Sequence, residues 1–222
     1  GDSAGGNLSA IVAQQLRDLR TSAGEPVIRH QALIYPATDL TMASPSIREH
    51  ADGAILTEDK IIAFRTLYIG DAQDAVAYTD PIVSPLFGDV TGVAPALVQT
   101  ADLDPIRDDG LRYAEALRAV GVEVRVTNYL GLPHGFASFP GVARSGAQAR
   151  HELVTEIRRH HHRNAELACA PAEGHLHVDA VDLLDQHRKL FVPRIPTEKR
   201  IDVGFGYSLR KSVDRRVRIA FE

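Results

Sequence analysis

The chain opens Gly1-Asp2-Ser3-Ala4-Gly5-Gly6-Asn7, and its first five residues have the spacing G-x-S-x-G. That spacing has a steric reading. A serine at a sharp strand-to-helix turn projects its hydroxyl clear of the main chain. Side chains two residues before or after it would meet neighbouring backbone, which calls for glycine on both flanks. The helix that follows turns its positive end and free N–H groups toward the serine. Residues 4–20 read as that helix, because Leu8, Ile11, Val12, Leu16 and Leu19 recur at three- and four-residue steps and share a face. A strand is expected before the elbow, and the chain begins at the elbow itself. It therefore reads as the C-terminal part of a longer protein.

Outward from the elbow, short apolar runs alternate with helical patterns. Ser22 to Glu25 is rich in turn formers, and Ala32-Leu33-Ile34-Tyr35 before Pro36 reads as a buried parallel strand. Residues 39–57 read as irregular, with Pro45 and Gly53 as breakers. Thr57 is an expected N-cap, with Glu58 and Asp59 in the first turn of a helix that carries Ile61, Ile62, Phe64 and Leu67 and stops near Gly70. Ile61, Phe64 and Leu67 are expected to pack it down. Ala96 to Thr100 is a second strand. Asp104-Pro105 opens a helix with Leu111, Ala114, Leu117 and Val120 inward and Gly121 as its stop. Val122, Val124 and Val126 alternate with polar residues, the pattern of a strand near a sheet edge. Residues 131–135 read as a loop, and 145–162 as a last helix with Ala149, Leu153 and Ile157 inward. The alternation implies an α/β fold with a mostly parallel sheet flanked by helices. After residue 162 this rhythm stops. Residues 1–162 hold 14 Lys/Arg against 20 Asp/Glu, and 163–222 hold 11 against 9, so the tail also differs in charge. Short elements are sketched there at 178–190, 201–208 and 216–221, with no assigned role.

Composition narrows the function classes. A hydrophobic content of 44% supports a real core, and a net charge of −4 gives no general case for nucleic acid or an anionic membrane. The single Cys169 excludes an intrachain disulfide and builds no zinc site alone. No stretch has the apolar length of a membrane span. Localisation stays open, with a cytoplasmic placement as the default.

A serine hydroxyl is a poor nucleophile at neutral pH. It needs a base, the base needs an orienting acid, and a developing oxyanion needs donors. Ser3, Asp104 and His134 each follow a strand or strand position, and the carboxyl edge of a parallel sheet is where ligand sites gather. Asp102 and Asp108 are rivals for the acid.

At this point the chain resembles the hormone-sensitive-lipase-like esterases, the fold-3 group of the α/β-hydrolases. The resemblance rests on Gly1 to Asn7, on Ser84-Pro85-Leu86, on Asp104-Pro105-Ile106-Arg107-Asp108-Asp109-Gly110 and on Pro133-His134-Gly135-Phe136. It covers roughly residues 1–160. It implies the α/β-hydrolase fold with its N-terminal strands outside this chain. It also implies Ser3 as nucleophile, Asp104 as acid, His134 as base and the Ala4 N–H as an oxyanion donor. Residues 1–162 would be the catalytic portion, with 40–78 contributing to the cap. The implied activity is that of a serine carboxylic-ester hydrolase on small or medium acyl esters, with a small-molecule ester as substrate and no metal or organic cofactor. An amidase or acyltransferase on the same triad, or a non-catalytic ligand-binding receptor on the scaffold, are the alternatives. A homo-oligomer is compatible with the pattern. The family's His-Gly-Gly-Gly loop does not occur in these residues, so the chain alone is expected to be inactive.

Other features have plainer readings. Asp104 before Pro105 is also an N-cap pattern, and the two roles are compatible. Asp108 and Asp109 read as dipole partners in a first helical turn. Asp2 and Asn7 read as structural support for the elbow. His160-His161-His162 point about 100° apart in a helix and read as a solvated basic end rather than a metal site. His175 and His177 lack a third ligand, and Arg215, Arg216 and Arg218 read as a solvated face.

Overall fold

A computed structural model describes residues 1–70, 77–139 and 144–162. The tail from residue 163, with its sketched elements, Cys169, His175, His177 and the late arginines, lies outside the described residues.

Three parallel strands, β1 (Gln31–Ile34), β2 (Ala96–Leu103) and β3 (Val124–Pro133), form a sheet in the order β1-β2-β3. Gln31 pairs with Ala96, and Ala96 with Val124, so the strands start level. Residues 1–3 run alongside β1. Gly1 N donates to Ala32 O at 2.8 Å, Ile34 N to Gly1 O at 3.0 Å, and Ser3 N to Ile34 O at 2.9 Å. The elbow is thereby hung on the sheet by backbone bonds. β1 ends one residue earlier than the apolar run, because Tyr35 turns to φ 37°. β3 runs on through residues 131–133, which read as loop. Its ladder to β2 continues as far as Leu103–Pro133 by shifting register after Ala101, and Gly131 supplies the positive φ of 70° nearby. The expected edge position of β3 holds among these strands.

The helices are α1 (Ala4–Gln15), α2 (Pro45–Glu49), α3 (Glu58–Ile69), α4 (Arg107–Ala119) and α5 (Arg144–His162). α2 lies in the stretch read as irregular. The existence of the other four was legible, but their buried faces were read only in part. α1 buries Gly6, Asn7, Ala10, Ile11 and Ala13, while Leu8, Val12 and Leu19 stay exposed. The reason is distance. The helix rides so close to the turn after β1 that a Cβ on Gly6 would lie 2.8 Å from Pro36 Cβ, and only small residues fit there. α3 has the expected Thr57 cap, whose hydroxyl accepts from Lys60 N at 3.3 Å. Ile61 packs beside Ile47, Leu56 and Ile106, and Ile69 is buried, but Phe64 and Leu67 are more than half exposed. Apolar residues lie almost all round this helix, so their spacing picked no single face.

α4 turns Gly110, Tyr113, Ala114 and Leu117 into the core with Leu33, Val98 and Ala10, leaving Val120 exposed and Leu111 half-buried. Tyr113 displaces the expected stripe. Its hydroxyl accepts from Gln14 Nε2 at 3.3 Å and donates to Gln31 Oε1 at 3.4 Å. On α5, Ala149 is buried as expected, but Ile157 is exposed and the inward stripe continues through Glu156 and His160. The facing surface is itself polar. Glu152 accepts from Gln99 Nε2 at 2.8 Å, Thr127 Oγ1 at 2.7 Å and Tyr129 OH at 2.7 Å. Burial pushes the Glu152 carboxyl up, but these bonds, with Arg125 beside it, outweigh that and hold it below the usual range. His160 is therefore buried, not the solvated helix end that its neighbours suggested.

Candidate active site

The site stands at the carboxyl ends of the strands. Ser3 sits between the stub beside β1 and the first turn of α1 at φ 52° and ψ −119°, a region that costs an L-residue of order 1–3 kcal/mol. Hydrogen bonds at both ends of the residue hold it there. Besides the bond from Ser3 N to Ile34 O, Ser3 O accepts from Asn7 N at 3.1 Å. The expected crowding appears at Gly1, where a Cβ would lie 2.3 Å from Gly5 O. It does not appear at Gly5, whose Cβ would meet only Asp2 Oδ1 at 3.9 Å. The second crowded position is Gly6, against Pro36.

Ser3 Oγ lies 2.9 Å from His134 Nε2, and His134 Nδ1 lies 2.7 Å from Asp104 Oδ2. An ionised carboxylate only accepts, so Nδ1 carries the ring proton. Nε2 then presents its lone pair to the Ser3 hydroxyl. His134 follows the end of β3, beside Gly135 at φ 78°, and is almost wholly buried. The Tyr35 ring leans on the imidazole with centroids 4.7 Å apart, and Phe136 packs against Tyr35 in turn at 5.2 Å. Tyr35 is a neighbour that sequence reasoning missed. Its strained backbone after β1 brings it there, and burial pushes its phenol up to about 12.

Asp104 is fully buried just past β2. Its Oδ1 accepts from Ile106 N at 3.0 Å while Oδ2 faces His134. The cap-like bond and the reach to the imidazole thus coexist, although α4 starts at Arg107 with Ile106 at its N-cap rather than at Pro105. Its rivals are engaged elsewhere. Asp102 Oδ2 accepts from Gly131 N at 3.3 Å, and Asp108 Oδ2 from Ser46 N at 3.0 Å. Ala4 is exposed at the first turn of α1, where the leading N–H groups have no partner within the helix.

The remaining motif residues hold the loops around this centre. Asn7 Nδ2 donates to Ala37 O at 2.6 Å and Val83 O at 2.8 Å, tying two loops to the elbow helix. Asp2 contributes through its backbone bridge to Ile34, with its side chain exposed. Ser84 Oγ donates to Tyr78 O at 2.6 Å and accepts from Leu40 N at 2.8 Å. Asp109 is in the first turn of α4, but it is wholly buried rather than a surface dipole partner. It accepts from Ser44 Oγ at 2.5 Å and from Asp39 N at 3.2 Å. Burial, with the Asp39 carboxylate nearby, pushes it up to about 7 against the pull of the Ser44 bond. Arg112 pairs with Asp39 at 2.6 Å, so the Asp39 carboxylate beside Asp109 has a cationic partner of its own. The sequence carried no signal for this network beyond the doubled aspartate.

A parallel α/β sheet with a serine on its strand-to-helix turn and an imidazole and a carboxylate in line behind it defines the α/β-hydrolase class. The α/β-hydrolase fold family matches over residues 1–138, and the chain belongs to that family, in the hormone-sensitive-lipase-like group its motifs resemble. The carboxylic ester hydrolase LipN of Mycobacterium tuberculosis is 43% identical over 162 residues, 72% of this chain and 42% of that protein. The carboxylesterase NlhH of the same species is 39% identical over 161 residues, 72% of this chain and 49% of its own length. The chain thus spans just under half the length of these curated relatives. Among solved structures, a hyperthermophilic esterase from the archaeon Pyrobaculum calidifontis superposes with a TM-score of 0.65 at 38% identity, covering 72% of this chain and 51% of that one. The thermostable carboxylesterase EstE1, cloned from a metagenomic library, gives 0.64 at 34% identity over 72% and 53%. Among the described residues no helix is long and apolar enough to cross a membrane.

Proposed function

We propose that the chain carries the catalytic portion of a serine carboxylic-ester hydrolase for small or medium acyl esters. The observation that carries this reading is the continuous path from Ser3 Oγ to His134 at 2.9 Å and on to Asp104 at 2.7 Å. His134 takes the Ser3 proton as the hydroxyl attacks the ester carbonyl. Asp104 keeps the imidazole in the receptive tautomer and offsets its charge. The Ala4 N–H supports the oxyanion, His134 then protonates the leaving alcohol, and water repeats the sequence on the acyl-enzyme. The esterase names of the relatives support the substrate class, and one relative of Pseudomonas putida is an ethyl acetate hydrolase, 33% identical. Residues 1–162 form the catalytic portion in this reading, and 40–78 contribute to its cover.

Treating the folded chain with a fluorophosphonate tests it. One adduct is expected on Ser3 by intact mass, and none in Ser3→Ala. A folded chain that gives no Ser3 adduct even after exposure long enough to offset a donor loss of about 10²–10³ contradicts the proposal and favours a non-catalytic binding role. Turnover of a short nitrophenyl ester by the 222 residues alone is expected to be negligible. Each missing oxyanion donor costs about 10²–10³ in turnover, and the sequence has no His-Gly-Gly-Gly segment to supply one.

A further inference from the structure

A second cluster of chemically capable side chains lies at the other edge of the sheet. His30 is the residue immediately before β1, whereas the Ser3 relay lies past the strands' carboxyl ends. Glu156 and His160 sit one turn apart on α5. Glu156 Oε1 is 3.2 Å from His160 Nε2 and 3.9 Å from His30 Nε2. One ligand atom from each of the three residues lies within 4.8 Å of the others. The two imidazoles stack with centroids 4.2 Å apart. Their side chains are 8% and 9% exposed, and that of Glu156 is 4% exposed.

The decisive detail is at His30. Its Nε2 is buried and has no hydrogen-bond partner among the described residues. An orphaned buried polar atom costs about 1–3 kcal/mol and is rare enough to require a reason. A cation shared with Glu156 and His160 supplies one. We propose that His30, Glu156 and His160 bind one zinc-class divalent ion.

Two imidazoles and a carboxylate suit zinc or cobalt rather than calcium or magnesium. Ligand bonds of about 2.0–2.2 Å set neighbouring tetrahedral ligand atoms roughly 3.3–3.5 Å apart. The Glu156–His160 pair is already at that spacing. His30 Nε2 has to close by about half an ångström from its 3.9 Å to Glu156 Oε1, and the His30 ring has to turn out of its stack on His160 so that both imidazole planes contain the ion. His160 also lines a cavity of about 320 Å³ with Arg17, Arg20, Glu25 and Arg29. The opposing charges are specific. Arg159 Nη1 is 3.4 Å from Glu156 Oε1, and Arg125 Nη1 is 3.8 Å from Oε2. Arg159 has a second carboxylate, Glu123, at 3.0 Å, so it keeps a partner when metal takes Oε1. The ion would clasp α5 to the segment that leads into β1. Its role is structural and independent of the Ser3 chemistry.

The test uses the full chain, stripped with a chelator and titrated with Co²⁺ and then Zn²⁺ near pH 7.5. One equivalent of Co²⁺ is expected to give intense tetrahedral visible bands that Zn²⁺ removes, with a rise in the thermal transition. His30→Asn and Glu156→Gln should each weaken binding at least about 10-fold, in the range of losses seen when metal sites are disturbed. The variants His161→Asn/His162→Asn and His175→Asn/His177→Asn should bind as the native chain does. Absence of stoichiometric binding overturns the proposal. So does binding that survives His30→Asn but is lost with either histidine pair, because that marks chelation by the histidine-rich segments. If the site variants do not fold, the native cobalt spectrum decides: tetrahedral bands support the site, and pale octahedral bands overturn it.

Discussion

Replacing Asp104 by Asn tests the relay with the least change of shape. The two carboxylate oxygens have different jobs. Oδ1 accepts from Ile106 N at 3.0 Å and Oδ2 faces His134 Nδ1 at 2.7 Å, in a site with no solvent exposure. In the variant the amide oxygen must stay toward Ile106 N–H. The reverse orientation sets two donors against each other and leaves a buried group unpaired, at about 1–3 kcal/mol. The amide NH₂ then faces His134 and donates to Nδ1. The ring proton moves to Nε2, which points at Ser3 Oγ and has no lone pair left to receive the hydroxyl proton. A wrong tautomer of this kind lowers turnover by about 10⁴ in serine hydrolases of this design, equivalent to about 5.5 kcal/mol of barrier. The assay is the rate of fluorophosphonate adduct formation at Ser3, followed by mass at neutral pH. A loss of at least about 10³ is expected, with circular dichroism unchanged. Asp102→Asn should label at the native rate, since the Asp102 side chain accepts from Gly131 N and does not reach His134. A folded Asp104→Asn chain that labels within a few-fold of native speed would refute the assignment of Asp104 and the tautomer argument together.

Two further outcomes follow from packing and burial. Gly6→Ala should destabilise the chain by about 1–3 kcal/mol in urea unfolding, because the new Cβ would lie 2.8 Å from Pro36 Cβ; Gly5→Ala, with only Asp2 Oδ1 at 3.9 Å, should be tolerated, and equal costs would show that the elbow is crowded differently. Asp109 is raised from 3.8 to about 7 in the fold, so between those values the folded chain holds a proton that the unfolded chain has released. Its contribution to stability is therefore present at low pH and declines as pH rises through that window. Asp109→Asn should flatten the decline in urea-midpoint measurements between pH 4 and 8; an unchanged slope would mean that Asp109 is ionised in place.

The parts of the site legible in the sequence are those where local chemistry permits few residue types. Gly1 and Ser3 declare a turn that only such residues tolerate. Asp104 before Pro105, and His134 between Pro133 and Gly135, mark the ends of parallel strands, and the geometry brings both to Ser3. The alternation of strands and helices was legible for the same reason, since local periodicity reports secondary structure. The faces of the helices were not. Leu8 and Val12 point out from α1 and Phe64 and Leu67 from α3, although spacing suggested otherwise, because a helix buries the side that its neighbours leave room for. On α1 the close approach of Pro36 selects small residues. On α5 the polar side chains of β2 and β3 select Glu152 and Glu156 over Ile157.

What the sequence by itself determined was the class of the fold, since it rests on local periodicity and the steric rule of the elbow, whereas Ser3, Asp104 and His134 were singled out by resemblance and come within hydrogen-bond reach only in the folded chain. Tertiary structure alone decided the stand of Tyr35 against the imidazole, the burial of Asp109 beside Asp39, and the meeting of His30 with His160. Those depend on which surfaces a folded chain presses together. Burial then sets the charge of each group, and no local pattern of residues encodes it.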